Sequence, residues 1–235
     1  MTDVLVLWDL DLTLLDPAGF GARMIAPTLA DLLGREPVLG ASFAGRTDRA
    51  ILTDLLELNG ATGPDDDELV TSLMDAVARR CETFGDDLLA GGGGPLPGAH
   101  EAVAALAADP RVHQGIVTGN MRRTALLKLR LCGFDGLPDP DLGAFGDHHA
   151  DRAHLVREAL VAAARRGLDV PPSRAVVVGD HVHDVRGALD AGAACVAVAT
   201  GRVTADELAA AGAHCVLPDL TDTDALRAAI HSAAG

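Results

Sequence analysis

Positive charge is scarce in this sequence. Lysine and arginine together number 19 against 34 aspartates and glutamates, so the formal net charge is −15 at pH 7. A chain of this sign is repelled by nucleic acid backbones and by anionic lipid surfaces, which argues against both as partners. Lys128 is the only lysine, and a mechanism that needs a lysine elsewhere in the chain is therefore disfavoured.

Cysteine is also sparse and shows no pairing pattern. The four cysteines are Cys81, Cys132, Cys195 and Cys215. No two of them have the CxxC spacing, as expected of a reduced protein in the cytoplasm. No signal or membrane-spanning segment is predicted either, because the apolar run at the N-terminus is short, lacks a basic flank and contains Asp9 and Asp11.

The rest of the composition predicts a folded chain with a sizeable core. Its 235 residues are 49% hydrophobic, which suffices for one large domain or for a core with a smaller lobe. Residues 17–87 have the three-to-four spacing of apolar positions typical of helices, and we expect three or four helices there. The glycines and prolines of residues 91–97 then indicate a hinge or boundary.

After residue 97, strands alternate with helices. Strands are predicted at residues 4–8, 115–117, 175–178 and 195–198, and helices at residues 98–108, 122–131, 152–166 and 185–191. This alternation predicts an α/β fold, a Rossmann-like parallel sheet with helices on both faces. The first strand most simply joins the same sheet, so the helical segment is an insertion.

Polar residues follow three of the predicted strands, at the edge where such sheets bind ligands. The residues are Asp9, Asp11 and Thr13 after the first strand, Thr118, Gly119 and Asn120 after the second, and Asp180 and Asp184 after the third. Carboxylates of Asp9, Asp11 and Asp180 would form an all-oxygen site suited to Mg²⁺. The hydroxyl of Thr118 and the amides of Gly119 and Asn120 could bind an anion before the next helix.

These residues carry a resemblance to a known family. WDLDLT resembles the first motif, DxDxT, of the haloacid dehalogenase superfamily of phosphohydrolases, VTG its second motif and GDHVHD its fourth, GDxxxD. The resemblance covers nearly the whole chain. It implies an α/β core of residues 1–15 and 97–235, closed by an inserted all-α cap of residues 16–96.

The resemblance also implies a role for each motif residue. Asp9 would be the nucleophile that forms an aspartyl-phosphate. Asp11 would be the general acid and base, and its backbone carbonyl would join the metal ligands. Asp180 and Asp184 would complete a Mg²⁺ site with Asp9, the latter by orienting the ligands of the metal.

The third motif is normally a lysine or arginine that holds nucleophile and phosphate together. We favour Arg152, because it opens the helix before the strand that carries Asp180; Lys128 is the alternative. Arginine can bind phosphate through two hydrogen bonds. In the cap, Arg46 of the AGRTD break could contact the leaving group, or it could be a solvated arginine beside a Thr47 helix cap.

Two residues depart from the family pattern. Leu12 stands where glycine is usual between the second aspartate and the threonine, and it lacks the backbone freedom of glycine. His181 stands where a small hydroxyl residue is often found, and it could titrate near the pocket or lie in a surface loop.

The expected function is hydrolysis of a small phosphorylated metabolite, such as phosphoglycolate or a sugar phosphate, by a Mg²⁺-dependent phosphatase that is a monomer or homodimer. A dehalogenase is disfavoured because that branch lacks the acid at Asp11, and a phosphonate hydrolase because the cap has no lysine. A phosphosugar mutase remains the alternative enzyme. A non-catalytic protein that binds Mg²⁺ or phosphate remains the alternative outside enzymes.

Overall fold

A computed structural model describes residues 3–40, 43–61, 66–134 and 136–235 of the chain. Its centre is a five-stranded parallel sheet in the order β4-β1-β5-β6-β7. The strands are β1 Val4–Trp8, β4 Val112–Ile116, β5 Ala175–Gly179, β6 Ala194–Val198 and β7 Cys215–Leu217, and β2 Leu15–Asp16 and β3 Gly94–Pro95 form a separate antiparallel pair. The predicted Rossmann-like architecture is therefore confirmed.

Ten α-helices surround these strands in the described part of the chain. They are α1 Phe20–Leu33, α2 Asp48–Leu58, α3 Asp66–Thr83, α4 Asp87–Ala90, α5 Ala99–Ala107, α6 Arg122–Leu131, α7 Arg152–Arg165, α8 Val182–Asp190, α9 Ala205–Ala210 and α10 Thr223–Ala233. Helices α5 and α10 pack together, and α7 packs with α8.

Strand β1 shows why the sheet lies between two helical layers. Val4, Val6 and Trp8 point into one apolar cluster, and Leu5 and Leu7 into the other, as the alternation of side chains along a strand requires. All five side chains are buried. The continuous apolar run in the sequence is therefore that of a strand covered on both faces.

The inserted helices are joined to the sheet through the β2–β3 pair. Leu15 pairs with Pro95 and Asp16 with Gly94, so the segment leaves and returns at adjacent points. Helix α3 packs against α1 and α2, and α3 and α4 both contact α6. The apolar cluster of the inserted helices is continuous with that of one sheet face.

Sequence reasoning found the central elements but missed peripheral ones. Strand β1 and helix α6 have the predicted bounds, whereas β4 begins three residues earlier than predicted. In β4 the polar His113 and Gln114 interrupt the apolar run, and Gln114 is buried because it accepts a hydrogen bond from Trp8 Nε1 at 2.9 Å. Short elements such as β7 and α9 were not predicted, because three to six residues carry little periodic signal.

Candidate active site

Three polar loops meet at one edge of the sheet because their strands are neighbours. Strand β1 lies between β4 and β5, with Trp8 beside Ile116 on one side and Val178 on the other. The chain passes from β1 to β4 on one side and returns to β5 on the other. Ligands of open α/β sheets bind at the carboxyl ends of the strands where the order reverses in this way.

A triad of carboxylates lies at this edge. Ligand atoms of Asp9, Asp180 and Asp184 lie within 4.8 Å of one another, and the three residues are 3%, 5% and 2% exposed. Burial, reinforced by the charge of Asp184 and opposed by Arg152, raises the pKa of Asp9 from its usual 3.8 to about 7. Burial and the charges of Asp9 and Asp184 raise the pKa of Asp180 to about 8.

The triad fits a hard divalent cation. Buried carboxylates at this spacing repel one another and are costly to ionise without a compensating charge. The donors are all oxygens, which is the ligand set that Mg²⁺ prefers. Among the described residues, Arg152 forms ion pairs with Asp9 and Asp184 of the triad but not with Asp180. The negative charge of Asp180 therefore has no ion-pair partner there.

Arg152 reaches the triad from the first turn of α7. Asp151 begins that helix by accepting a hydrogen bond from the amide of Ala153, and Gly187 of α8 leaves room for the Arg152 side chain, since a Cβ there would lie 2.6 Å from that of Arg152. Arg152 Nη1 lies 3.2 Å from Asp9 Oδ1 and 2.6 Å from Asp184 Oδ1.

The guanidinium of Arg152 is buried and remains charged. Burial lowers the pKa of Arg152, but the charges of Asp184 and Asp9 outweigh burial and raise the pKa above its usual value. Its Nε has no hydrogen-bond partner among the described residues, and neither has the buried hydroxyl of Thr13. Unsatisfied buried polar groups are rare in proteins and often face a ligand.

Asp11 lies apart from the triad and contacts a different cation. Lys128 Nζ, on α6, donates to Asp11 Oδ1 at 2.8 Å and to Oδ2 at 2.7 Å, and also to Asn120 Oδ1 at 2.6 Å. Between Asp11 and Thr13, Leu12 has φ 63°, the left-handed region that favours glycine. The position where the sequence departs from the family pattern therefore does require this conformation.

The loop after β4 is organised around the Thr118 hydroxyl. Thr118 Oγ1 accepts hydrogen bonds from the backbone amide of Asn120 at 3.3 Å and from its side-chain Nδ2 at 2.9 Å. The next two amides, which begin α6, donate to carboxylates of the chain itself. Met121 donates to Asp48 and Arg122 to Asp147, both at 2.8 Å.

The inserted segment lies directly on this loop. The amide of Asp48 donates to the carbonyl of Gly119 at 2.7 Å. A Cβ at Gly119 would overlap the carbonyl oxygen of Arg46, so only glycine permits this approach. Burial raises the pKa of Asp48 to about 6, and the charge of Lys128 opposes the rise.

Arg46 is directed toward its own helix. Its Nη2 lies 2.7 Å from Asp54 Oδ2 and donates to the carbonyl of Ala50 at 3.3 Å. Thr47 begins α2 by accepting from the amide of Ala50 at 3.3 Å. A role of Arg46 toward substrate therefore stays a prediction.

His181 has a structural position at the start of α8. Its Nδ1 accepts from the amide of His183 at 3.2 Å, and its own amide donates to Asp184 Oδ2 at 3.1 Å. Burial, with the charges of His183 and Arg152, lowers the pKa of His181. The ring also packs against Gly45, where a Cβ would overlap it.

Comparison with known proteins identifies the family. The model of the haloacid dehalogenase-like hydrolases matches residues 6–189, and a second model, of HAD-hydrolase-like proteins, matches residues 156–223. The chain belongs to the haloacid dehalogenase-like hydrolase family. Nothing among curated proteins matches the sequence of this hydrolase.

Solved structures share the fold of the hydrolase. CbbY from Rhodobacter sphaeroides in complex with phosphate has a TM-score of 0.71 at 23% identity, over 94% of this chain and 96% of that one. A putative beta-phosphoglucomutase from Bacteroides vulgatus has 0.70 at 19%, over 99% and 90%. A predicted phosphatase from Clostridium acetobutylicum has 0.67 at 19%, over 99% and 100%.

The structure brings most of the predicted residues together. The triad and Arg152 form one cluster, and Asp11, Lys128 and Asn120 form another with Thr118. Sequence reasoning missed Asp48, which contacts the loop after β4 from the inserted segment. The available signal was the place of this acidic residue directly after the helix cap Thr47. That signal is ambiguous, because an acidic residue at the start of a helix is also favourable for the helix itself.

No helix among the described residues is long and apolar enough to cross a membrane.

Proposed function

We propose that this hydrolase is a phosphatase that cleaves a small phosphomonoester through an aspartyl-phosphate on Asp9. The observation that carries the proposal is the separation of two acids at one edge of the sheet. Asp9 lies in the buried triad against Arg152, whereas Asp11 lies outside it against Lys128. A nucleophile and a proton donor need this difference in surroundings.

The first step forms one bond and breaks another. Asp9 attacks phosphorus, the bond between phosphorus and the ester oxygen breaks, and Asp11 gives its proton to the leaving oxygen. Arg152 holds Asp9 and offers its free Nε to a phosphoryl oxygen. The hydroxyl of Thr118 and the amide of Gly119 are proposed to bind the other oxygens, joined by the amide of Asn120 once it is released from Thr118 Oγ1, to which it donates at 3.3 Å.

The second step returns the enzyme to its starting state. Water attacks the phosphorus of the aspartyl-phosphate, and Asp11 accepts a proton from the water. The bond between phosphorus and the Asp9 oxygen breaks, which releases phosphate and restores the carboxylate. Asp9, Asp180 and the carbonyl of Asp11 are proposed to hold Mg²⁺, with Asp184 beside them. Bound there, the ion would supply positive charge that stabilises negative charge on the phosphoryl oxygens.

The inserted segment is proposed to act as a cap. In this reading residues 16–96 form a cap domain over a core of residues 1–15 and 97–235, and the β2–β3 pair at the junction supports the division. The hydrogen bond from Asp48 to Gly119 supports a cap loop that lies over the phosphate. Arg46 is proposed to contact the leaving group after release from Asp54.

The closeness of that loop also favours a second candidate, a phosphosugar mutase. A mutase must keep water from the aspartyl-phosphate while the sugar turns, and the carbonyl of Arg46 lies directly against Gly119 of the proposed phosphate loop. A relative in fold, the Rhodobacter CbbY, has a structure in complex with xylulose-(1,5)bisphosphate. Isomerisation of hexose phosphates without phosphate release would favour the mutase.

The test is phosphate release from phosphoglycolate, hexose phosphates and nucleoside monophosphates, with Mg²⁺ and with chelator. Asp9→Asn should lower kcat by at least about 1000-fold, because the nucleophile is lost. The matched control is Asp190→Asn, which removes an exposed carboxylate at the end of α8 and should leave the rate unchanged. Equal activity of Asp9→Asn and wild type would refute the proposed nucleophile. Silence of the wild type in all assays would favour a non-catalytic binding protein.

A further inference from the structure

Lys128 contacts the active site in a way that phosphate binding does not explain. We propose that Lys128 is a positioning residue, which holds the acid and base Asp11 in place between the loops after β1 and β4. The inference rests on the proposed phosphatase function, in which Asp11 moves the proton in both steps. It assigns Lys128 a role separate from that of Arg152.

All three donors of the Lys128 ammonium are used within the chain. Two go to the oxygens of Asp11, at 2.8 and 2.7 Å, and one goes to Asn120 Oδ1, at 2.6 Å. An ammonium has three donors, so none is left for a phosphoryl oxygen in this arrangement. Arg152 differs, because its Nε has no partner among the described residues.

The exposure of the two partners places Asp11 between the lysine and the solvent. The Lys128 side chain is 2% exposed and that of Asp11 is 33% exposed. Substrate can therefore approach Asp11 while Lys128 remains behind it. A group with this placement acts on the reaction through Asp11 and not by touching the substrate.

The Lys128 ammonium donates hydrogen bonds to two loops that are distant in sequence, the loop after β1 and the loop after β4. Asp11 follows β1, and Asn120 follows β4 and donates to Thr118 Oγ1. Both loops are held by the same buried charge, so the orientation of Asp11 is fixed relative to the proposed phosphate site. Catalysis is sensitive to such placement, because a small displacement of a reacting group lowers the rate strongly.

A role in stability alone would have a different signature. Removing one partner of a buried ion pair is strongly destabilising where the other charge stays buried, but Asp11 is not fully buried, and methionine matches the unbranched stem of lysine. After Lys128→Met, water can solvate Asp11 because that side chain is one-third exposed. We therefore expect the variant to fold, with its defect confined to proton transfer.

The kinetic test compares two substrates of similar shape, phenyl phosphate and p-nitrophenyl phosphate. Phenolate is the poorer leaving group and depends more on a proton from Asp11. Lys128→Met should lower kcat/KM about 100-fold for phenyl phosphate and less than about 10-fold for p-nitrophenyl phosphate. The control is Arg123→Met, which removes a positive charge from the same helix where the side chain is 42% exposed and paired with Asp75 and Glu82. It should change neither value.

A second measurement reads the contact without activity. Because Lys128 is the only lysine, protein labelled with ¹⁵N-lysine gives one side-chain ammonium signal. Asp11→Asn should shift that signal and speed its proton exchange, and an unchanged signal would overturn the inference. Equal losses for both substrates in Lys128→Met would overturn it as well. Failure of the proposed function is distinguishable, because wild type would then release phosphate from neither ester.

Discussion

Replacing Asp180 with asparagine should stabilise the metal-free protein at alkaline pH. The carboxylate of Asp180 is 5% exposed and lies with Asp9 and Asp184 within 4.8 Å. Burial and these two charges raise its pKa from 3.8 to about 8. Ionised Asp180 therefore opposes folding, and asparagine keeps the shape of the side chain without the charge.

The size and sign of the effect follow from proton linkage. The difference between 3.8 and about 8 corresponds to at most about 6 kcal/mol. Neighbouring carboxyls share their protons, so we expect a gain of about 2 kcal/mol in the free energy of unfolding. The folded protein holds the proton of Asp180 between these pH values and the unfolded chain does not. Wild-type stability should therefore fall as pH rises from about 4 to about 8, and the variant should show a shallower fall.

The assay is urea denaturation with chelator at pH 5.5 and pH 8.5. The gain of Asp180→Asn should be about twice as large at the higher pH as at the lower one, because the penalty in wild type grows from the unfolded pKa of 3.8 up to the folded pKa of about 8. Asp190→Asn is the control for loss of an exposed carboxylate from the same region. Mg²⁺ should stabilise wild type more than Asp180→Asn. The reasoning is refuted if Asp180→Asn is no more stable than wild type at pH 8.5, or if its gain is the same at both pH values.

Two further predictions concern the metal and the backbone. The affinity for Mg²⁺ should rise between pH 6 and 8, and binding should release protons, because the pKa values of Asp9 and Asp180 are raised to about 7 and about 8. Calorimetry in buffers of different ionisation enthalpy measures both quantities. Binding without proton release at pH 6 would contradict this prediction. Leu12→Gly should be about 1 kcal/mol more stable in urea denaturation than Leu12→Ala. Both variants lose the leucine side chain, but only glycine relieves the backbone strain of the left-handed φ of 63°. Equal stability of the two variants would show that the backbone there is unstrained.

The sequence allowed the centre of the fold to be predicted because its signal is local. Val4–Trp8 is a continuous apolar run, and α6 and α7 have clear helical periodicity, so their existence follows from neighbouring residues alone. The short strand β7 and the β2–β3 pair lack such a signal. They depend on partners distant in the chain, which periodicity does not report.

The departure at Leu12 was visible in the sequence, but its consequence was not. A family pattern with glycine indicates a special backbone conformation, and the structure gives Leu12 a positive φ. His181 likewise departs from the family pattern. Its position as the cap of α8 is local, since its partners are His183 and Asp184, whereas its contact with Gly45 depends on how the inserted segment lies on the core.

By itself, the sequence determined that Asp9, Asp11, Thr118 and Asp180 follow strands, because apolar runs end at these residues. In a parallel sheet the carboxyl ends of strands meet at one edge, so the convergence of these residues could be predicted. Only the tertiary structure decided which cation contacts which carboxylate. Lys128 meets Asp11 across 117 positions and Arg152 meets Asp9 across 143. Such pairs depend on the placement of α6 and α7 in the apolar clusters on opposite faces of the sheet, which no local pattern encodes.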